Sequence, residues 1–219
     1  MVSLKQIRED KTIKTYIEAA DKTMAALGYT EHAFAHMIRC AESVKDILTA
    51  LEYAEREIEV GQIAGYMHDI GNVINRSDHA HHGAIMAFKL LSDMGMPAEE
   101  IAVIISAIGH HDEGTAFPVN AVAAAVILAD KSDVRRSRVR NQDPDTFDIH
   151  DRVNYAVECA NLLISVEDKT ITLDIRIDTE ISSVMEYFEI FIGRMQLCRA
   201  AANYLNYQFK LVINGTSLI

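Results

Sequence analysis

Histidines and aspartates recur along the first two thirds of this chain at helix-sized intervals. His68 and Asp69 are adjacent, they follow an apolar helical stretch, and Gly71 comes shortly after them. Five more such residues are spread between positions 36 and 130: His36, His79, His110, His111 and Asp130. Imidazole and carboxylate groups are ligands that first-row metals such as iron, manganese and zinc accept. The spacing therefore predicts that several helices converge on one metal centre.

The chemistry of this ligand set narrows the choice of metal. Mixed imidazole and carboxylate ligands suit iron, manganese or another transition metal better than calcium, which prefers oxygen ligands alone. The set contains no cysteine, whereas structural zinc sites are usually rich in sulfur. We expect a divalent transition metal, as one or two ions of Fe, Mn, Co, Ni or Zn. Asp130 ends an almost uniformly apolar helix, where a lone buried carboxylate needs a cation unless the helix end is solvated.

Helical periodicity predicts the elements that must position these residues. Apolar side chains recur at three- and four-residue steps between Met37 and Leu51, which indicates one buried stripe of a long helix. Similar spacing, with capping residues at the boundaries, predicts further helices up to about residue 140: from Asp10 to Leu27 before Gly28, from Ile63 to Ile70 before Gly71-Asn72, from Ser77 or Asp78 to Met94, from Pro97 to Ile108, and from Pro118 to Ala129.

The pattern changes after about residue 150. Apolar and polar residues alternate from Thr170 to Asp178, which predicts a strand whose apolar face runs from Ile171 to Ile177. The other predicted elements of this part are a partner strand, a helix and a final strand: Leu162–Val166, Ile181–Leu205 and Phe209–Ile213. The predicted fold is mostly α, with a helical domain over residues 1–140 and a small C-terminal α+β (β-β-α-β) extension over residues 150–219. The polar segment from Arg140 to Asp151 is the predicted linker.

Composition and charge exclude several classes of protein. With 219 residues and a formal net charge of −11, the chain does not suit nonspecific binding to nucleic acid or to an anionic membrane. No apolar run approaches the roughly 20 residues of a membrane helix, and no signal peptide is evident in the charged N-terminus. Cys40, Cys159 and Cys198 lack a CxxC spacing, so we expect core thiols in a reducing compartment. A cytoplasmic location follows as the default expectation.

Five motifs in order resemble those of the HD superfamily of metal-dependent phosphohydrolases. They are HMIRCA at 36–41, AGYMHDIGN at 64–72, HAHHGAIMA at 79–87, AIGHHDEG at 107–114 and ILADKSDVRR at 127–136. An isolated His-Asp pair would be a weak indication, since it also suits a polar helix end, but five motifs in the right order are strong. The resemblance covers roughly residues 20 to 140 and implies the HD-type helical bundle. Residues beyond 150 show no such match.

The resemblance also implies a first metal site. Its ligands would be the first histidine, the His-Asp pair and the last aspartate of the motifs, namely His36, His68, Asp69 and Asp130. His32 lies one helical turn before His36, where some trinuclear relatives carry a carboxylate, so an extra ligand or a partner to a ligand is expected there. Many relatives carry Lys directly after the HDIG motif, where this chain has Asn72. That difference removes one expected contact to substrate phosphate.

A second metal site is implied around the same aspartate. Asp69 would bridge to a second ion held by His79 and His111, with His110 as a further candidate. The choice between His79 and His82 stays open. Three roles stay open for His110: metal ligand, substrate contact or proton shuttle, and bystander. Within the superfamily, the Gly-Ala pattern and the ADKSDVRR ending resemble small bacterial enzymes that hydrolyse diadenosine tetraphosphate. A GYP motif typical of cyclic-dinucleotide phosphodiesterases is absent after the paired histidines.

One dense basic run stands out in this acidic chain. Its members are Lys131, Arg135, Arg136, Arg138 and Arg140. Arginine guanidinium groups and lysine ammonium groups are suited to binding phosphate. The alternative is a solvated helix end, where cations interact favourably with the helix dipole. Lys131 and Arg135 lie nearest to Asp130 along a helix and are the first candidates for contacts to substrate.

The sequence thus predicts hydrolysis of a phosphate ester or anhydride, in a nucleotide, by metal-activated water. The catalytic candidates are Asp69, His110, Lys131 and Arg135. Two alternatives stay open: oxygen chemistry at a di-iron centre, as in some members of the superfamily, and a regulatory module that binds metal and nucleotide without turnover. The expected partner is a small phosphorylated molecule. The extension either forms a homodimer through its apolar sheet face or covers the chain's own helices.

Overall fold

Helices dominate the chain up to residue 132, and a small sheet with two further helices follows. The computed structural model describes residues 1–219. The helices are α1 Leu4–Glu9, α2 Lys11–Ala26, α3 Phe34–Ala50, α4 Glu55–Met67, α5 His79–Asp93, α6 Ala98–Gly109, α7 Ala121–Ser132, α8 Ile149–Ala156 and α9 Val184–Tyr204. The strands are β1 Val157–Ser165, β2 Thr170–Ile177, β3 Gln208–Ile213 and β4 Thr216–Ser217. The predicted fold class, mostly α with a C-terminal α+β extension, is confirmed.

Side-chain caps mark the start of several helices, among them α2 and α7. Asp10 accepts hydrogen bonds from the backbone N–H groups of Thr12 and Ile13 at 2.8 and 2.9 Å, which starts α2 as predicted. The start of α7 differs from the prediction at Pro118. The side chain of Asn120 accepts a hydrogen bond from the N–H of Ala123 at 2.8 Å, so the helix begins after the asparagine. Proline cannot supply such a cap, which explains the shift.

Helix α7 lies at the centre of the fold and is buried nearly all round. It contacts α3, α4, α6 and α9. Its residues from Val122 to Ala129 are all buried, and many of them are alanines that let neighbouring helices approach closely. The predicted apolar stripe of α3 packs against it and includes Val44 and Leu48. A helix with this environment can hold Asp130, at its C-terminal end, in a fixed position.

The C-terminal sheet has the strand order β1-β2-β3-β4. Strands β1 and β2 form an antiparallel hairpin, β3 pairs parallel to β2 after the crossover helix α9, and β4 is antiparallel to β3. The predicted alternation is confirmed, since Ile171, Leu173 and Ile175 are buried while Arg176 is exposed. The two-residue strand β4 was not predicted.

This layer does not stand apart from the helical body. Phe191, Met195 and Cys198 of α9 are buried in the same hydrophobic core as the residues of α3 and α7. The predicted boundary near residues 140–150 therefore stays a prediction, and the predicted linker already contains the start of α8. All three cysteines are free thiols as predicted, two of them buried. No helix combines the length and the apolar character that crossing a membrane requires.

Candidate metal centre

Five helices carry the predicted ligands to one place. His36 lies in the first turn of α3, and His68 and Asp69 follow the last residue of α4. The other three come from α5, from the residues just after α6, and from α7: His79, His111 and Asp130. All six side chains are buried or nearly so. The structure thus brings together residues that lie on different helices and far apart in the sequence.

Two glycines allow the backbone to approach closely beside the His-Asp pair. A Cβ atom on Gly71 would lie 2.0 Å from the carbonyl oxygen of His79 and 2.4 Å from the nitrogen of Gly83. A Cβ atom on Gly83 would lie 3.2 Å from the carbonyl oxygen of His68. The turn after Asp69 therefore packs directly on the start of α5, which aligns the pair with His79 and gives a physical reason for glycine at both positions.

One group of ligand atoms surrounds one oxygen of Asp69, and we call it the first cluster. Nε2 of His36 lies 3.3 Å from Nε2 of His68, 3.4 Å from Oδ1 of Asp130 and 3.8 Å from Oδ2 of Asp69. Nε2 of His68 lies 3.4 Å from the same Asp69 oxygen and 3.7 Å from the Asp130 oxygen. Two imidazoles and two carboxylates thus face a common point.

The other oxygen of Asp69 faces a second cluster. Nε2 of His79 lies 3.2 Å from Oδ1 of Asp69 and 3.2 Å from Nε2 of His111, and Nε2 of His111 lies 3.6 Å from that oxygen. Asp69 therefore presents one oxygen to each cluster. The family resemblance implied a bridging role for this carboxylate, and that role stays a prediction.

The outer nitrogens of the rings are all occupied by protein acceptors. Nδ1 contacts a backbone carbonyl in three cases: Gly65 for His68 at 2.8 Å, Arg76 for His79 at 3.0 Å, and Ile108 for His111 at 2.6 Å. A carbonyl oxygen only accepts, so Nδ1 carries the proton and each Nε2 lone pair points into a cluster. The Nε2 atoms of His36 and His68 face each other at 3.3 Å, and those of His79 and His111 at 3.2 Å. Each pair of nitrogens needs a cation or a proton between them. These donors fit a metal ion of the imidazole- and carboxylate-binding kind.

The fourth ring is oriented by a residue that sequence reasoning missed. Nδ1 of His36 donates to Oδ2 of Asp133 at 2.7 Å, and both side chains are buried. Burial favours the neutral acid, but the His36 ring and the guanidinium groups of Arg138 and Arg135 overcome it and lower the pKa of Asp133 well below its ordinary value. The position of Asp133, one turn after Asp130, was a signal in the sequence that could have found it.

The charge balance of the centre favours a cation. Burial alone lowers the pKa of His68, but the carboxylates of Asp69 and Asp130 outweigh it and raise that pKa to about 10. For His111 burial dominates and lowers the pKa to about 4. The pKa of Asp130 is held well below its usual range despite burial, chiefly by the Lys131 ammonium and by the rings of His36 and His68. The two buried carboxylates therefore demand positive charge beside them.

A cavity of about 320 Å³ opens onto the centre. Asp69, His79 and Asp130 form part of its lining. Four cationic side chains also line it, namely Arg76, Lys131, Arg138 and Arg194. Two of these belong to the predicted basic run, whereas Arg76 and Arg194 were missed because they stand singly in the sequence. An anion can therefore reach the two clusters.

Two predicted site residues lie elsewhere. Nδ1 of His110 contacts the carbonyl oxygen of Ser106 at 2.9 Å, and the ring contacts neither cluster, so the structure does not support a ligand role or a proton shuttle there. The guanidinium of Arg135 is held by Glu31 at 3.1 Å and by Asp133 at 3.0 Å, and it does not line the cavity. The expected phosphate contact by Arg135 is likewise unsupported, because its charge is already neutralised by these carboxylates.

The open alternatives have clear positions in the structure. His79 belongs to the second cluster, whereas His82, one turn later, contacts neither cluster. The ring of His32 lies 5.7 Å from the ring of His36 and lines the cavity, so it is a neighbour of a ligand.

Cys40 was interpreted as a core thiol, and its Sγ atom lies 3.7 Å from the His36 ring within the first cluster. Burial, together with the nearby carboxylates of Asp130 and Asp133, raises the pKa of the Cys40 thiol well above its ordinary value.

Comparison with known families agrees with this geometry. The HD domain family model matches residues 33–144, just over half of the chain. The chain belongs to the HD domain family. HD proteins are mostly metal-dependent hydrolases, and the match contains all six residues of the two clusters. No curated protein matches the chain. Helices α8 and α9 and the C-terminal sheet lie outside the HD match.

Proposed function

We propose that this HD protein is a phosphohydrolase that cleaves a phosphate ester or anhydride of a nucleotide with metal-activated water. The observation that carries the proposal is that Asp69 presents its two oxygens to two separate groups of imidazole nitrogens. When bound, divalent cations at such ligands supply neutralisation of phosphate charge and a lower pKa for water. His36, His68, Asp69 and Asp130 would hold one ion. His79 and His111, with Asp69, would hold the other.

The protein fixes the direction of every ligand before any substrate arrives. Each ring is tied at Nδ1, and Asn72 donates from Nδ2 to Oδ1 of Asp69 at 2.9 Å and to its carbonyl oxygen at 3.0 Å. Such outer contacts set the tautomer and the orientation of metal ligands. Asn72 stands where many relatives carry Lys, and in this structure its role is to hold the bridging carboxylate.

Arg76 supplies positive charge near that position. Its Nη1 atom donates to Oδ1 of Asn72 at 3.3 Å and lies 3.2 Å from Nε2 of His79, and the side chain lines the cavity. Arg194 lines the same cavity, and its Nε donates to Glu113 at 2.6 Å, so its terminal nitrogens can still donate to other acceptors. Guanidinium groups bind phosphate oxygens in a bidentate manner. Both residues are thus placed to bind the non-reacting phosphate oxygens.

Lys131 is the cation that pairs directly with the Asp130 carboxylate. Its Nζ lies 2.7 Å from Oδ2 of Asp130, the side chain is 5% exposed, and the residue lines the cavity. The ammonium can donate a hydrogen bond to substrate while it keeps Asp130 ionised. The four cations of the lining can bind an anionic substrate, which supports hydrolysis of phosphate over oxygen chemistry.

The test is turnover by protein loaded separately with Mn²⁺, Fe²⁺, Co²⁺, Ni²⁺ or Zn²⁺. A panel of nucleotides and phosphate esters is assayed for release of phosphate, beside the Asp69→Ala variant and metal-free protein. We expect at least one metal to support turnover that Asp69→Ala lowers by about a hundredfold or more. Equal rates for the loaded wild type and the variant on every substrate would overturn the proposal.

A further inference from the structure

The outer part of the cavity is built by residues outside the HD match. Helix α8 contributes Asp148, its N-cap residue, together with His150, Asp151 and Asn154. His150 is exposed and lines the cavity entrance. The catalytic ligands on the cavity floor are buried, so α8 forms part of the mouth.

Asn154 is the one member of this group with a buried side chain. It is 6% exposed, and its Nδ2 donates to the carbonyl oxygen of His150 at 2.9 Å, which fixes the direction of the amide. Its Oδ1 accepts no hydrogen bond from the protein, although the residue lines the cavity. That oxygen is not buried away from solvent, so it is a fixed acceptor that is open to the cavity and available to a donor on a ligand.

The charge of the mouth is opposite to that of the floor. Asp148 and Asp151 form no ion pair: Asp148 caps α8 by accepting from the N–H of Asp151 at 2.8 Å, and Asp151 accepts from Asn141 at 3.3 Å. Two of the four cations named above contact predicted ligands, since Lys131 lies 2.7 Å from Asp130 and Arg76 lies 3.2 Å from His79. A ligand that fills the cavity therefore has phosphate at one end and a neutral or cationic, donor-bearing group at the other. A second phosphate at the mouth would meet two carboxylates.

We propose that α8 is a recognition site for monophosphate esters whose alcohol part carries hydroxyl or amino donors, such as sugar phosphates and nucleoside monophosphates. Asn154 accepts a hydrogen bond from that part, and Asp148 and Asp151 exclude further phosphates. The cavity volume of about 320 Å³ suits a ligand of this size rather than a dinucleotide. This assignment rests on the phosphohydrolase function proposed above, and it disfavours dinucleoside polyphosphates as substrates.

The first test compares three monoesters with the metal-loaded full chain. Ribose 5-phosphate and AMP carry donors, whereas phenyl phosphate carries none. Asn154→Leu is expected to lower kcat/KM for the two donor-bearing esters about tenfold, mainly through KM, and to leave phenyl phosphate within about twofold. The matched control is Asn161→Leu, an exposed asparagine on β1 away from the cavity. Equal losses on all three esters, or no loss on any, would overturn the assignment.

A second variant tests exclusion without disturbing the fold. Asp148→Asn keeps the helix cap, because asparagine caps as well as aspartate, but removes one charge from the mouth. We expect it to raise kcat/KM for ADP relative to AMP several-fold. If the ratio of kcat/KM for ADP to kcat/KM for AMP is the same in Asp148→Asn and wild type, Asp148 does not exclude further phosphates.

Binding separates the two proposals from each other. The phosphonate analogue of AMP, whose carbon–phosphorus bond resists hydrolysis, is titrated by calorimetry into metal-loaded wild type and Asn154→Leu. About tenfold weaker binding of the analogue by Asn154→Leu supports the α8 site, whether or not any ester is turned over. An absence of turnover on every ester defeats the hydrolase proposal alone. Turnover of phenyl phosphate together with equal binding by both proteins defeats the α8 site and leaves the hydrolase proposal standing.

Discussion

Nδ1 of His36 lies 2.7 Å from Oδ2 of Asp133, although 97 positions separate the two residues in sequence. Asp133 is itself held by Nε of Arg39 at 3.1 Å and Nε of Arg135 at 3.0 Å. The carboxylate therefore cannot turn away, and it keeps the proton on Nδ1 so that Nε2 faces the first cluster. Arg135 belongs to the basic run that we expected to bind phosphate, and it instead holds the Asp133 carboxylate against His36.

Asp133→Asn should weaken metal binding without emptying the site. The substitution keeps the shape of the side chain but removes the negative charge that makes the His36 ring a better electron-pair donor. We expect about 10- to 100-fold lower affinity for the first ion, measured by competition with a metal indicator. Asp46→Asn, at an exposed position on the same helix, is the control. Unchanged affinity in Asp133→Asn would show that the contact does not support the ligand.

Gly71→Ala should destabilise the fold and disturb the second cluster together. The new methyl group would lie 2.0 Å from a backbone oxygen, so the turn and the start of α5 must move apart. We expect a loss of about 1–3 kcal/mol in the free energy of unfolding, from urea denaturation. Gly114→Ala is the control, since its Cβ would meet only the side chain of Asp112 at 3.7 Å. Equal stability of the two variants would contradict the close approach.

Arg76→Met and Arg135→Met should have different effects on activity. Arg76 lines the cavity, whereas Arg135 is neutralised by Glu31 and Asp133 outside it. On the best substrate from the panel, we expect Arg76→Met to raise KM at least about tenfold, because a charge-assisted hydrogen bond to phosphate is lost. Arg135→Met should leave KM within about twofold. A larger rise in KM for Arg135→Met would restore the original expectation for that residue.

Glu186 should stabilise the C-terminal layer in a pH-dependent way. Hydrogen bonds from Arg152, from the backbone of Ser183 and from Ser182 lower the pKa of Glu186 to about 2, from an ordinary value of 4.5. A lowered pKa means that this stabilisation is complete above about pH 4.5 and is lost as the pH falls towards 2. The difference in unfolding free energy between wild type and Glu186→Gln should therefore become smaller as the pH falls from about 4.5 towards 2. Glu189→Gln, at an exposed position on the same helix, is the control variant.

The sequence alone predicted the ligand-bearing helices well, because the histidines and aspartates are strong local signals. Contacts between distant residues were not predictable, as the pairing of Arg135 with Glu31 across 104 positions shows. Adjacent histidines were also ambiguous. Neighbouring residues on a helical turn point about 100° apart, so only the structure shows that His111 faces the centre while His110 faces Ser106. The two-residue strand β4 is too short to leave a periodic signal.

The contribution of α8 to the cavity was equally invisible in the sequence. Residues 140–151 read as a polar linker, and nothing local indicates that Asp148 and Asn154 face the same space as Asp69. That relationship arises because α9 packs on α7 and α8 packs on α9. Tertiary packing of the extension, rather than any motif, completes the cavity.

Metal stoichiometry tests the central claim most directly. Protein without a histidine tag is stripped, reloaded with Mn²⁺ or Fe²⁺ under anaerobic conditions and measured by elemental analysis, for wild type, His79→Ala and Asp69→Ala. The bridging geometry of Asp69 predicts two ions per chain in the wild type, one in His79→Ala, and a loss of both tight sites in Asp69→Ala. Equal metal content in folded wild type and Asp69→Ala would contradict a centre built around that carboxylate.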